Sequence, residues 1–266
     1  MIMPYEHQGS PVPHRPNTGL RWFIVIVVFM IVVTGVFIAA FYLNHSATTQ
    51  GVTVVRMEGT MSTGDFSDDQ SVGSELVGRE LRDAADDPMA EAIVLRVNSP
   101  GGTPAAAQEI IRDLDYAKTK KPVVVSMGDM ATSAAYYVSA HADKIYADPD
   151  TFTAGVGVIW TFSDISEWMN KEGYNVSVVK SGSKKDMGST SRPINMDERE
   201  YAQKIVNDSF DLFINDVTTQ RVISRSDIDD GRVIRGADAV KINVVDELGN
   251  INDAIEGAKA LAQARG

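Results

Sequence analysis

Cysteine is absent from the 266-residue chain, and histidine occurs only four times. Without cysteine there is no thiol nucleophile, no disulfide framework, no Cys-ligated zinc and no iron–sulfur cluster. The four histidines are His7, His14, His45 and His141. Because three of them precede residue 46, a three-histidine zinc site inside a folded domain is not expected. We therefore expect neither a metal nor another cofactor.

Positive charge is also scarce. The chain has 25 Lys and Arg against 36 Asp and Glu, which gives a net charge of −11. Nucleic-acid binding requires a basic footprint, so this composition argues against a nucleic-acid partner.

A long apolar run stands near the beginning of the chain. Residues 22–43 read WFIVIVVFMIVVTGVFIAAFYL, which is 22 residues without a charge. As a helix, this run would extend about 33 Å, enough to cross the hydrocarbon core of a bilayer. A cleaved signal peptide has a shorter apolar core and a small-residue cleavage site, and a buried core helix is not apolar on every side. The run therefore predicts an uncleaved transmembrane helix from Trp22 to Leu43.

The basic residues that flank this run predict its orientation. Arg15 and Arg21 precede it, and the next basic residue after it is Arg56. The positive-inside rule then places the N-terminus in the cytoplasm and the remainder outside the plasma or inner membrane. The predicted organisation is a disordered tail over 1–21, the helix over 22–43, a linker over 44–50 and a single domain over 51–266.

Short apolar runs alternate with amphipathic stretches throughout the predicted domain. The expected strands cover 52–57, 92–97, 123–127, 145–147, 154–158 and 176–180, and the expected helices cover 74–85, 105–118, 132–141, 163–172, 196–222 and 251–262. Such alternation predicts an α/β domain with a mainly parallel sheet. Ligands of these sheets bind beyond the carboxyl ends of the strands, so the loops 98–103 and 128–133 are the predicted location of a functional site.

Each of these loops carries residue types that suit catalysis. Gly101 and Gly102 follow a buried strand, and glycine allows a substrate to approach the backbone N–H groups closely. Ser133 begins a short helix among small neighbours, and the N–H of Ala134 would face the same point. Two simpler interpretations remain open, namely an ordinary strand–helix turn at the glycines and a helix N-cap at Thr132 or Ser133.

A serine nucleophile needs a base that removes its proton. His141 lies eight residues after Ser133, which is about 12 Å along a helix and too far for a hydrogen bond. Lysine remains as the alternative base, since burial or a nearby cation can make its amine reactive. Spacing alone does not select one lysine. Lys184 and Lys185 stand side by side in a Ser-Gly-Ser loop.

Several segments, in order along the chain, together resemble peptidase family S49, the signal peptide peptidases. They are RVNSPGG (96–102), GDMATSAAYY (128–137), ADKIYADP (142–149), TFTAGVGV (151–158), KSGSKKD (180–186), GRV (231–233) and VDELG (245–249). The resemblance covers about residues 52 to 255. The chain departs from the family pattern in two respects: Ala134 and Ala135 follow the serine where glycine is common, and Lys184 replaces a common aromatic residue.

The resemblance implies a fold, a site and a set of partners. Ser133 would be the nucleophile and Lys185, just before Asp186, the general base. The N–H of Ala134 and that of Gly101 or Gly102 would form the oxyanion hole. The implied fold is the spiral of β-β-α units shared by caseinolytic proteases and crotonases. Family members form tetramers or octamers in which a dyad can be completed across a subunit boundary. The implied substrates are signal-peptide remnants and other extended hydrophobic peptides.

Two other functions compete with a membrane-anchored Ser-Lys endopeptidase. A crotonase-type acyl-CoA hydratase would use the same amides, but an anchor with the domain outside the cell disfavours it because coenzyme A is cytosolic. A non-catalytic scaffold of the same fold would bind extended apolar peptides without cleaving them.

Overall fold

The computed structural model describes residues 18–44, 48–49 and 51–265. The predicted tail up to residue 17 lies outside the described residues, as do linker residues 45–47 and 50. The histidines at 7, 14 and 45 fall in the same undescribed parts. Two compact units result, one within residues 1–47 and one within residues 48–266.

The first unit contains a single described helix, α1, which spans Thr18–Asn44. The side chains described within it, at 22, 23 and 25–37, are all exposed. Over the residues that the structure describes, no helix combines the length and the apolar character needed to cross a membrane.

The second unit contains ten strands, seven further α-helices and two short 3-10 helices among its described residues. The helices are α2 (Ser74–Asp86), α3 (Pro104–Lys118), α4 (Ala134–Ala140), α5 (Ser166–Lys171), α6 (Met196–Gln220), α7 (Gly236–Ala239) and α8 (Ile251–Arg265). The strands are β1 (Thr48–Thr49), β2 (Val52–Glu58), β3 (Thr60–Ser62), β4 (Ser71–Gly73), β5 (Ala92–Ser99), β6 (Val123–Thr132), β7 (Lys144–Ala147), β8 (Phe152–Ala154), β9 (Val233–Arg235) and β10 (Glu247–Leu248).

The main sheet is largely parallel, which confirms the predicted α/β class. Six of its eight strands follow the order β1-β2-β5-β6-β7-β10, and among these six only β1 runs antiparallel to its neighbour. The long strand β6 pairs with β7 near its beginning and with β8 near its end. Strand β9 then adds antiparallel to β8. The last residues of β6 are therefore held on both sides, by β5 and by β8.

Both faces of the main sheet are covered, which explains why β5 reads as a continuous apolar run. On one face, Ile93, Leu95 and Val97 join a cluster that includes residues of α2, α3, α4 and α6. On the other face, Ala92 and Val94 pack with residues of α8. This double burial fixes the position of the carboxyl ends of β5 and β6, where the predicted loops begin.

Two predicted strands are wrong. The strand expected over 154–158 is found instead at Phe152–Ala154, because Ala154 and Gly155 both have positive φ and turn the chain out of the sheet. No strand forms over 176–180, where every side chain is exposed and Val179 is 101 % exposed. Its β-branched composition favours a strand, but pairing needs a neighbouring strand and the segment has none among the described residues.

Candidate active site

The loops that follow β5 and β6 meet at one edge of the sheet. The Thr132 hydroxyl donates a hydrogen bond to the Pro100 carbonyl at 3.0 Å. The backbone N–H of Ser133 donates to the Ala154 carbonyl at 2.8 Å. The turn that carries Ser133 is therefore tied both to the glycine loop and to β8.

Ser133 occupies the turn between β6 and α4 in a strained conformation. Its φ is 55° and its ψ is −127°, a region that non-glycine residues rarely adopt. The side chain makes no capping hydrogen bond to α4. Ser133 therefore stands at the N-cap position of α4, but its side chain does not cap the helix. Among the described residues, nothing hydrogen-bonds to its hydroxyl, which stands at the surface of a cavity.

Gly101 packs against this turn so closely that there is no room for a side chain. A Cβ on Gly101 would lie 2.9 Å from the Ser133 Cβ and 3.1 Å from the Ala134 nitrogen. Gly101 also has a φ of 109°, which a residue with a side chain would adopt only with strain. Glycine is therefore required at 101 by both space and conformation.

The hydrogen bonds of the glycine loop favour one of the two predicted oxyanion donors. The Gly101 N–H donates to the Ser99 hydroxyl at 3.1 Å and is already occupied. Met61 of β3 bonds to the backbone of Gly101 and Thr103, which leaves the Gly102 N–H directed away from β3. Within residues 51–265, neither the Gly102 N–H nor the Ala134 N–H has an acceptor. These two amides are the ones available to an oxyanion.

A cavity of about 130 Å³ with mixed apolar and polar walls adjoins Ser133. For comparison, an engineered cavity of about 150 Å³ in another protein accommodates benzene. The space therefore suits one apolar side chain of moderate size. Its walls come from the glycine loop, α3, α4, the segment after β8 and α6, and consist of Gly102, Pro104, Gln108, Ser133, Ala134, Tyr137, Gly157, Val158, Ile159, Ser209, Leu212 and Phe213.

The two candidate lysines lie in an exposed loop and differ in their contacts. Lys184 forms an ion pair with Asp197, and its Nζ lies 5.6 Å from the centre of the Tyr201 ring. Lys185 is exposed, and its ammonium has no hydrogen-bond or ion-pair partner in the part of the chain that is described. Lys185 does not line the cavity at Ser133. The structure of one chain thus brings together Gly102, Ser133 and Ala134, but not Lys185.

An ion-pair cluster anchors the loop that carries Lys185. The Arg192 guanidinium donates to both carboxylate oxygens of Asp186 at 2.8 and 2.9 Å, and to those of Glu198 at 2.6 and 2.8 Å. Hydrogen bonds from Arg192 and Lys180 hold the pKa of Asp186 well below its usual range. Those from Arg192 lower the pKa of Glu198 to about 2. The residue that follows Lys185 is therefore fixed at the N-terminus of α6.

His141 is not placed to act as the base for Ser133. Its side chain is only 3 % exposed. Its ring nitrogens face Asp115 and Asp216, each at 3.3 Å. With both nitrogens engaged, the ring offers no free acceptor for the serine proton.

Several contributors to this site were not predicted from the sequence. Ser99 occupies the Gly101 amide, and α6 supplies Leu212 and Phe213 to the cavity wall. The only available sequence signal was the Asn195-x-x-Glu198 capping box, which marks the start of α6 and includes a member of the ion-pair cluster.

A serine on a strained strand-to-helix turn beside two unpaired amides is the arrangement found in serine hydrolases. The solved structure of a mutant of the 1510-N membrane-bound stomatin-specific protease superposes with a TM-score of 0.53 at 17 % identity. It covers 79 % of this chain and 84 % of that one, which shows a shared fold. The sequence profile of Peptidase family S49 matches residues 115–265. The chain belongs to this family, as the motifs predicted.

Named relatives match a larger share of the chain than the family profile does. Protease 4 of Haemophilus influenzae is 36 % identical over 230 residues, which are 84 % of this chain and 37 % of the relative. Protease 4 of Salmonella typhi is 34 % identical over 199 residues, 73 % of this chain and 32 % of the relative. The chloroplastic serine protease SPPA of Arabidopsis thaliana is 27 % identical over 216 residues, 80 % of this chain and 31 % of the relative. The matches thus span about a third of the length of these three relatives.

Proposed function

We propose that the protein is a serine endopeptidase that uses Ser133 as nucleophile and Lys185 as general base. The observation that carries the proposal is the strained Ser133 turn with the unpaired N–H groups of Gly102 and Ala134 on the same cavity. A non-glycine residue at this φ and ψ destabilises the fold, and such strained residues are concentrated at active sites. Family membership and the serine protease named among the relatives support the same function.

The proposed reaction assigns a step to each of these groups. The neutral amine of Lys185 takes the proton of the Ser133 hydroxyl as its oxygen bonds to the peptide carbonyl carbon. The carbonyl oxygen becomes an oxyanion and accepts hydrogen bonds from Gly102 and Ala134. The tetrahedral intermediate then expels the amine of the cleaved peptide bond, which receives the proton from Lys185. An acyl ester remains on Ser133. Water, deprotonated by the same lysine, then hydrolyses the ester and restores the hydroxyl.

The test is labelling and turnover in a matched pair of serine variants. Ser133→Ala should lose peptide cleavage and labelling by a serine-directed phosphonate. Ser209→Ala removes a hydroxyl from the same cavity and should keep both. Cleavage that persists in Ser133→Ala would refute the nucleophile. Peptide binding without turnover in the wild type would instead support the non-catalytic scaffold.

The proposed substrates are extended hydrophobic peptides such as signal-peptide remnants. The cavity beside Ser133 is of side-chain size and includes apolar walls from Val158, Leu212 and Phe213, and the Gly102 backbone offers an unpaired edge for an extended chain. The fold proposed for this role is the spiral of β-β-α units. In support, β3 and β4 form a second small sheet, to which Gly102 is joined through Met61.

The proposal includes a membrane anchor from Trp22 to Leu43, with the N-terminus cytoplasmic and residues after the anchor outside the plasma or inner membrane. The uncharged 22-residue run and the preceding Arg15 and Arg21 support it. In the full chain, Phe29→Arg should weaken retention in carbonate-washed membranes, because a charge at mid-span is disfavoured. The C-terminal domain should be digested by protease added to intact spheroplasts, and protection would reverse the orientation.

We place the proposed dyad between subunits of a tetramer or octamer. Lys185 does not line the Ser133 cavity of its own chain, and its loop is exposed. The preceding segment exposes large apolar side chains: Ile159, Trp160, Ile165, Trp168, Tyr174, Val176, Val178 and Val179. A second copy of the chain would cover this surface, and it could pair with the unpaired 176–180 segment.

A further inference from the structure

The short helix that follows Ser133 ends in a buried histidine that the proposed mechanism does not use. All seven residues of α4 are buried, and His141 caps its C-terminus. The His141 carbonyl accepts a hydrogen bond from the Lys118 ammonium of α3. This end of α4 is thus packed between neighbours that carry charge.

Carboxylates from two different helices face the His141 ring. Nδ1 lies 3.3 Å from Asp115 of α3, and Nε2 lies 3.3 Å from Asp216 of α6. The same Asp216 oxygen accepts a hydrogen bond from the Tyr137 hydroxyl at 2.6 Å. Since carboxylate oxygens only accept, both ring nitrogens donate together when the imidazole carries two protons. The result is a chain of contacts from Asp115 through His141 and Asp216 to Tyr137.

The last member of this chain of contacts belongs to the cavity. The Tyr137 ring stacks on Phe213 with 4.6 Å between ring centres, and both rings line the cavity beside Ser133. The Tyr137 N–H donates to the Ser133 carbonyl at 3.0 Å. Burial, together with Asp216, raises the pKa of the Tyr137 hydroxyl well above its usual range. The hydroxyl therefore remains a donor, and Asp216 holds the ring by its far end.

We propose that Asp216 and His141 are positioning residues that hold the Tyr137 ring as a fixed wall, and that this wall limits the size of the substrate side chain that the cavity accepts. The proposal rests on the proposed function, since it assigns the cavity to the substrate residue bound beside Ser133. It also assigns a role to the histidine that is excluded as the base.

The test compares peptides that differ only in the residue placed in the cavity, leucine or the larger tryptophan. Tyr137→Phe removes only the hydroxyl that bonds to Asp216. Asp216→Asn and His141→Gln alter the two side chains that hold this hydroxyl in place. Each should reduce the preference for leucine over tryptophan in kcat/KM by about five- to tenfold. The change in preference should arise mainly through KM for the tryptophan peptide. Asp211→Asn, an exposed carboxylate of the same helix, should leave the preference unchanged.

A merely structural role gives a different result. It would lower Tm and reduce kcat/KM for both peptides together, with their ratio unchanged. An unchanged ratio in both Tyr137→Phe and Asp216→Asn therefore overturns the positioning role, while Ser133-dependent cleavage still supports the proposed function.

A binding measurement separates the two proposals further. In the Ser133→Ala background, peptide affinities are measured with and without Tyr137→Phe. The affinity ratio of the two peptides should fall by the same factor, whether or not the wild type cleaves them. No Ser133-dependent cleavage with a changed ratio would refute the proposed function alone, and an unchanged ratio would refute the positioning role.

Discussion

Gly101 and Ser133 come from different loops, yet a Cβ added to Gly101 would lie only 2.9 Å from the Ser133 Cβ, closer than two such atoms approach. The same Cβ would lie 3.1 Å from the Ala134 nitrogen, one of the proposed oxyanion donors. The glycine loop and the serine turn therefore form one unit, in which a change on either side displaces the other.

We expect Gly101→Ala to abolish activity. The added methyl group would push the Ala134 amide out of place, and losing an oxyanion donor costs about 10²–10³-fold in kcat. Gly51→Ala is the control, because Gly51 also has a positive φ, but it precedes β2 at the opposite end of the sheet. Both variants should lose stability, and only Gly101→Ala should lose peptide cleavage. Equal activity in the two would contradict the close packing.

The two adjacent lysines should differ sharply in their importance. Lys185→Ala should reduce kcat by about 10²–10⁴-fold, the usual contribution of a general base. Lys184→Ala removes an ion pair with an exposed Asp197 and should change kcat by less than about fivefold. Steady-state kinetics on one peptide decide between them. The reverse ranking would transfer the role of base to Lys184.

The location of the dyad can be tested by mixing inactive variants. Ser133→Ala and Lys185→Ala proteins are unfolded together, refolded at equal amounts and assayed. If each site forms between neighbouring subunits of a ring, about a quarter of the sites receive both intact residues. Specific activity should recover to about a quarter of the wild-type value. Each variant refolded alone serves as the control, and a mixture as inactive as the controls would place both residues in one subunit.

The ion-pair cluster behind Lys185 should make stability depend on acid pH. The pKa of Glu198 is lowered from 4.5 to about 2 by its bonds to Arg192. The ionised carboxylate therefore stabilises the fold fully above pH 4.5, and this contribution is lost as the pH falls towards 2. Urea midpoints measured between about pH 5 and about pH 2.5 should fall less steeply in Glu198→Gln than in the wild type. Glu200→Gln, exposed on the same helix, should retain the wild-type slope.

Arg192→Ala should affect both stability and catalysis. It leaves the carboxylate of Glu198, which is 1 % exposed, without its ion-pair partner, and Asp186 beside Lys185 is then held only by Lys180. We expect a lower Tm and a lower kcat. Arg199 is an exposed arginine of α6. Arg199→Ala should change neither the Tm in thermal unfolding nor the kcat of peptide cleavage.

The sequence predicted the parts of the fold that depend on local pattern and burial. The apolar run of β5 and the amphipathic α6 form because each buries a surface that the pattern already displays. The glycine loop and the Ser133 turn were found because they follow buried strands. Family motifs, rather than spacing, selected Lys185.

What the sequence did not predict depends on contacts between distant residues. The hydrogen bond from Gly101 to Ser99 has no periodic signal, although it decides which amide remains unpaired. The segment 176–180 has the composition of a strand, but strand formation needs a pairing partner that composition does not reveal. The link from His141 to Tyr137 passes through Asp216, which is 75 residues from the histidine in sequence.

The conformation of Ser133 implies a trade-off between durability and activity. A non-glycine residue at φ 55° and ψ −127° costs on the order of 1–3 kcal/mol, whereas glycine tolerates this region. We expect Ser133→Gly to unfold at a higher Tm than Ser133→Ala, and scanning calorimetry of the two variants checks this order. A lower Tm for the glycine variant would show that the turn carries no strain. If Ser133→Gly has the higher Tm, glycine is a better replacement than alanine for trapping an uncleaved peptide, because the inactive enzyme is then also more stable against unfolding.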